Sequence, residues 1–211
     1  MIQTHSAILF QGDSITDCGR QKNNPQPNDG GSLGSGYPGL IAARLLKDRP
    51  GDALQLLNRG ISGNRIVDLY ARWKIDAINL KPDLLSILIG VNDAWHEFGS
   101  QNGVEVERYA QFYRMLLEWT RRALPKIQLV LCEPFILPCG VITPAWRPDI
   151  AARCEVVRAL ALEFKTVLVP FQSAFTEATQ RAPAEYWSAD GVHPTLAGHQ
   201  LMADVWLRAV G

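Results

Sequence analysis

An α/β fold is predicted for this chain, with five parallel strands in a central sheet and helices on both of its faces. Two observations carry the prediction. Short apolar runs alternate along the whole sequence with segments of helical periodicity, so the strands are joined by right-handed crossovers. The run 84–89 is apolar except for Ser86, as expected of a strand covered on both faces. In open sheets of this kind, ligands bind beyond the carboxyl ends of the strands. Fold logic suggests the strand order 2-1-3-4-5, which brings the segments following the strands to one rim.

The elements follow in order. Residues 7–10 read as strand one, which leads into Gln11-Gly12-Asp13-Ser14-Ile15-Thr16-Asp17. The segment 20–36, rich in Asn, Pro and Gly, is a loop within the domain, because too little chain precedes it to fold alone. Pro38 opens a helix with apolar Leu40, Ile41, Leu45 and Leu46, and Pro50-Gly51 stops it. Strand two covers 53–57, and a glycine-bearing turn, Asn58-Arg59-Gly60-Ile61-Ser62-Gly63-Asn64, follows. A helix over 66–80 has an apolar face of Ile66, Leu69, Tyr70, Trp73, Ala77 and Leu80. Strand three runs into Gly90-Val91-Asn92-Asp93, then a loop with Trp95, His96 and Phe98, then an amphipathic helix over 104–124 that Pro125 breaks. Strand four covers 127–132, and a Pro-rich loop, 133–148, succeeds it. A helix over 150–164, strand five over 166–169, a short helix over 171–178, a loop over 183–193 and a closing helix over 195–210 complete the chain. One domain over 1–211 is expected.

Composition narrows the function. The 211 residues carry 21 lysines and arginines against 21 aspartates and glutamates, which points to neither a nucleic-acid nor an anionic-membrane partner. No apolar run is long enough to span a bilayer, and the first residues lack the pattern of a signal peptide. The four cysteines form no metal-binding spacing, so reduced thiols in a cytoplasm are expected.

A serine just past a strand end, on a Gly-led turn, is well placed to act as a nucleophile. It needs a base, and the base needs an orienting group. His193 is the candidate base, and Asp190, three residues earlier, can turn back onto its Nδ1. Backbone N–H groups of Ser14 and Gly63 and the Asn92 amide are candidate donors to an oxyanion. The GxSxG elbow is absent, because Thr16 stands where its second glycine would be.

Four blocks, Gly12-Asp13-Ser14-Ile15-Thr16-Asp17, Gly60-Ile61-Ser62-Gly63-Asn64, Gly90-Val91-Asn92-Asp93 and Asp190-Gly191-Val192-His193-Pro194, resemble those of the SGNH (GDSL-type) hydrolases in order and spacing. The resemblance implies a flavodoxin-like three-layer α/β/α sandwich and esterase activity without a cofactor or metal. It also implies Ser14 as nucleophile, Asp190 and His193 as acid and base, and Ser14, Gly63 and Asn92 as the oxyanion hole. Within the family, Ala71-Arg72-Trp73 and His193-Pro194-Thr195-Leu196-Ala197-Gly198-His199 look like a subgroup of intracellular bacterial acetylxylan esterases. That subgroup implies a small acetylated saccharide as substrate, and its members are often homo-oligomers. A lipid-directed esterase, lysophospholipase or thioesterase is the alternative enzyme, and a sugar- or phosphate-binding module is the alternative of another class.

Other residues are weighed around this site. Asp13 adjoins the nucleophile; a structural hydrogen-bonding role is set beside a substrate-side one. Trp95, Trp146, Tyr186 and Trp187 fall in predicted loops near the rim, where a ring can stack on the apolar face of a sugar. His199 reads as a packing or surface residue. Arg59, Arg65 and Arg72 read as surface charges or internal pairs.

Overall fold

Five strands form one parallel sheet in the computed structural model, which describes residues 2–211. They are β1 (Ala7–Gly12), β2 (Gln55–Asn58), β3 (Leu84–Leu88), β4 (Gln128–Cys132) and β5 (Val167–Val169). Their spatial order is β2-β1-β3-β4-β5, as expected, and every neighbouring pair is parallel. Phe10 pairs with Asn58 and Gly12 with Leu88, so the segments leaving β1, β2 and β3 start side by side.

The helices are α1 (Ser14–Asp17), α2 (Gly30–Leu33), α3 (Tyr37–Asp48), α4 (Ile66–Asp76), α5 (Val91–Ser100), α6 (Val106–Ala123), α7 (Trp146–Glu163), α8 (Phe171–Ala178), α9 (Ala184–Trp187) and α10 (Leu196–Val210). Alternation along the strands decides which of them meets which face. Ile8 and Phe10 of β1, with Leu84 and Leu88 of β3, pack against Tyr37, Ile41 and Trp206 of α3 and α10. Leu9, Leu85 and Ile87 point the other way, onto Leu69 and Trp73 of α4 and Leu116 and Leu117 of α6. Ser86, the one polar residue of β3, is fully buried, and its Oγ accepts the Trp206 indole N–H at 2.9 Å. A buried hydroxyl and a buried indole thus satisfy one another.

Several boundaries differ from the sequence reading, among them strand two, which is Gln55–Asn58 rather than 53–57, and the helix read over 66–80, which ends at Asp76. Residues 92–98 are not a loop: Val91, Ala94 and Trp95 recur at helical spacing, and α5 forms behind the sharp turn at Gly90 (φ 131°). The polar segment 20–36 contains α2, capped by Asp29, whose carboxylate accepts from the Ser32 N–H at 3.0 Å. α7 begins at Trp146, with Pro148 in its first turn, where an amide N–H has no intrahelical partner. The stretch 183–193 includes the single turn α9. Among the described residues, no helix is long and apolar enough to cross a membrane.

Candidate active site

Ser14 opens α1 directly after β1. Asp13 caps this turn: its Oδ1 accepts from the Ile15 N–H at 3.0 Å. The cap is buried, whereas Ser14 keeps part of its surface open. Its Oγ lies 2.9 Å from His193 Nε2. His193 Nδ1 lies 2.7 Å from Asp190 Oδ2. A carboxylate only accepts, so Nδ1 carries the proton and Nε2 is left to accept from the serine hydroxyl. Residues 179 apart in sequence therefore form one hydrogen-bonded relay.

The Asp190–His193 loop is closed on itself. Ser188 and Pro194 form an antiparallel bridge, and Ser188 Oγ donates to the His193 carbonyl at 3.0 Å. Asp190 Oδ1 accepts from the N–H groups of Val192 and His193 at 2.9 and 2.7 Å. Partial burial opposes ionisation of Asp190, but these bonds and the imidazole outweigh it and hold the carboxyl below its ordinary value. The segment after β4 backs the loop, with Leu137 N–H donating to the Gly191 carbonyl and Val141 N–H to that of Asp190.

The segments that follow β1, β2 and β3 are tied to one another. Gly63 lies exposed in the turn after β2 at φ 82°, in the left-handed region that glycine occupies without strain. Asn92 sits in the first turn of α5, and its Nδ2 donates to the Asn64 carbonyl at 3.2 Å. The turn is stitched to α1 at several points. The Ser62 N–H and hydroxyl both donate to Asp17 Oδ2, at 3.0 and 2.8 Å. Asn58 Nδ2 donates to the Thr16 carbonyl at 2.6 Å, and Ile61 N–H to that of Gly12 at 3.1 Å. Gly60 rests so close to α1 that a Cβ there would lie 2.4 Å from the Asp17 nitrogen. Asp93 ties the third block to α4: its carboxylate accepts from the Ile66 N–H at the start of that helix, at 3.0 and 3.2 Å. Burial pushes the Asp93 and Asp13 carboxyls up to about 7.

A partly open serine within hydrogen-bond reach of an imidazole, itself oriented by a carboxylate, is the arrangement that activates a hydroxyl for acyl transfer. The comparison with known proteins agrees. Residues 10–201 match the model of the GDSL-like lipase/acylhydrolase family. The chain belongs to this family.

It is therefore a carboxylic ester hydrolase. The hydrolase is 35% identical to the acetylxylan esterase of Geobacillus stearothermophilus over 208 residues, which is 97% of this chain and 93% of that protein. The crystal structure of that organism's acetylxylan esterase Axe2 matches with a TM-score of 0.91 and 34% identity, covering 100% of this chain and 96% of that one. A GDSL-like protein of Parabacteroides merdae matches with a TM-score of 0.97 and 46% identity, covering 100% of this chain and 98% of that one. Forms of Axe2 with serine-to-alanine and histidine-to-alanine changes are described as catalytic mutants.

The aromatic residues of the hydrolase divide. Trp95, on α5, stands with its ring 5.8 Å from that of His193. Trp146 packs edge-on against Trp95 at 5.6 Å, and Phe98 stacks on Trp146 at 5.0 Å. Trp146 is itself buried, so within this cluster it backs Trp95. Trp187 and Tyr186 stand on α9. The Trp187 indole N–H donates to the Ala182 carbonyl, and the Arg181 guanidinium covers its ring. Trp187 lines a groove with Glu177 and Gln200, on α8 and α10. Tyr186 packs edge-on against Trp187 and is exposed.

His199 is a buried packing residue. Its Nδ1 accepts from the Tyr37 N–H at 3.2 Å, which leaves the proton on Nε2, 3.4 Å from Cys18 Sγ. Burial pulls its pKa down to about 4. Two of the three arginines are internally paired, Arg65 with Asp68 and Arg72 with Asp76, and Arg59 donates to the Asn58 carbonyl. Sequence reasoning missed Asp93 and Asn58 as ties between these segments, although Asp93 stands inside a quoted block and Asn58 opens the turn after strand two. Asp17, inside the first block, is a tie as well.

Proposed function

We propose that this hydrolase is a serine acetylesterase acting on acetylated xylo-oligosaccharides or related small sugars, with residues 1–211 working as one domain. The observation that carries the reading is the Ser14–His193–Asp190 relay, at 2.9 and 2.7 Å, in a chain 35% identical to an acetylxylan esterase. In this mechanism Ser14 Oγ bonds to the acetyl carbonyl carbon as His193 Nε2 takes its proton. The N–H groups of Ser14 and Gly63 and the Asn92 amide receive the oxyanion. The intermediate collapses, and the sugar oxygen leaves with the proton from His193. Water then attacks the acetyl-Ser14 ester by the same route, releasing acetate and the free serine.

Two features support a sugar acetate over a long acyl chain. Trp95 offers an aromatic face beside His193, suited to the apolar face of a pyranose. The apolar cavity of about 330 Å³ lined by Ile136, Leu137, Ile150 and Phe175 includes no residue of the relay. The subgroup resemblance further supports a cytoplasmic enzyme and a homo-oligomer.

Acetate release tests the reading, measured across acetylated xylo-oligosaccharides, simple sugar acetates, and butyryl and longer esters. Acetylated oligosaccharides are expected to be the fastest substrates. Rates that climb with acyl length reassign the enzyme to lipids. Ser14→Ala is expected to abolish nearly all turnover of 4-nitrophenyl acetate, by ~10⁴-fold or more, without unfolding the protein.

A further inference from the structure

Arg72 projects from the middle of α4, and its side chain is only 13% exposed. Its ion pair with Asp76 Oδ2, at 3.0 Å, accounts for its charge. It does not account for where the other donors go. Nε donates to Asn64 Oδ1 at 2.6 Å. Nη2 donates to the Gly12 carbonyl at 3.2 Å. Nη1 reaches the Arg59 carbonyl at 2.8 Å and Gln11 Oε1 at 3.0 Å. Every one of these acceptors lies in the two segments that carry Ser14 and Gly63. Gly12 is two residues before the nucleophile, and Asn64 directly follows Gly63. The Asn64 carbonyl in turn receives the Asn92 amide at 3.2 Å. One planar cation thus spans the strand end bearing Ser14, the turn bearing Gly63, and the residue against which Asn92 is held.

We propose that Arg72 is a positioning residue of the oxyanion hole: it locks the Gly63 turn and, through Asn64, the Asn92 amide in register with Ser14. The inference rests on the esterase mechanism given above and deepens it. The physical basis is preorganisation. Donors aimed in advance at a developing oxyanion need no rearrangement when charge forms, so a small displacement of their support lowers turnover. A guanidinium suits the task because its donors form a rigid fork able to bind acceptors in different directions at once. An ammonium at the same place retains the charge opposite Asp76 but cannot bridge Gly12 and Asn64 together.

The test compares native enzyme, Arg72→Met and Arg72→Lys on 4-nitrophenyl acetate, with thermal unfolding followed in parallel. Arg72→Met is expected to lower kcat about 10- to 100-fold while KM stays within about threefold, because the lost interaction operates in the transition state. Arg72→Lys is expected to recover stability but not kcat. The pH midpoint of kcat should stay unchanged, because His193 and Asp190 are untouched. A folded Arg72→Met with native kcat, a full recovery of kcat by lysine, or a displaced pH midpoint overturns the proposal. Should Arg72→Met fail to fold, Asn64→Ala decides: it removes the Nε acceptor and keeps the carbonyl under Asn92. A kcat lowered about tenfold at steady KM supports the proposal, and a native kcat overturns it. If the native enzyme hydrolyses no ester while it folds normally, the esterase reading itself fails and the proposal falls with it; an active native enzyme confines any failure to Arg72.

Discussion

The two walls of the site are built in opposite ways. The acid–base wall is a short loop whose main bonds run between Ser188 and Pro194, and its imidazole and carboxylate side chains are 45% and 31% exposed. The wall proposed to hold the oxyanion gathers Gly12, Asp17, Asn58, Gly60 and Asp93 from three strand ends, and these five residues are buried. The difference follows the work proposed for each. A base must trade protons with substrate and water, so it needs access and only local orientation. Fixed dipoles act by not moving, which calls for many long-range ties in a poorly hydrated setting.

The largest test of this contrast is His193→Ala. It is expected to lower kcat for 4-nitrophenyl acetate by ~10⁴-fold or more while the melting temperature moves by no more than about 2 °C, since a half-exposed loop side chain carries little of the fold. A variant that unfolds instead breaks the contrast, because the loop would then be part of the core. Asn92→Ala comes next. Loss of one oxyanion donor is expected to cost ~10²–10³ in kcat at nearly constant KM, read by steady-state kinetics. An unchanged kcat removes Asn92 from the wall.

The smallest effect concerns His199, which lies under the nucleophile's side of the site through Tyr37 and Cys18. Its folded pKa is depressed to about 4 from an ordinary 6.5, so between these values the unfolded chain binds more protons than the native one. The sign is then fixed: this contribution is fully present above about pH 6.5 and lost as pH falls towards 4, at most about 3 kcal/mol. Asp13 and Asp93, pushed up to about 7, slope the opposite way as pH rises from near 4 to near 7. The histidine's share is therefore read as the difference between urea unfolding curves of the native protein and His199→Gln across pH 4–7. Parallel pH profiles for the two overturn it.

Much of the fold was legible because its signals are short-range. Each strand shows as an apolar run of a few residues, and the strand order came from fold logic rather than from any residue pattern. The relay was legible for a different reason. Asp190 and His193 are three residues apart, and Ser14 stands at a strand end where an open parallel sheet places ligands. Helix α5 was overlooked because its polar and aromatic residues, Asn92, Asp93, His96 and Phe98, look like a loop, although Val91, Ala94 and Trp95 keep helical spacing. Trp187 and Trp95 looked equivalent in sequence. Only packing separates them, one beneath Arg181 and the other beside His193.

By itself, the sequence determined the alternating layers, the serine at the end of the first strand and the aspartate–histidine pair that serves it, since periodicity and spacing of a few residues encode all three. Tertiary structure alone decided which aromatic ring borders His193, that Asp17 holds Ser62 across 45 residues, and that Arg72 gathers Gly12, Arg59 and Asn64. These contacts join segments remote in the chain. Their geometry depends on how three parallel strands end side by side, and no local pattern of residues records that.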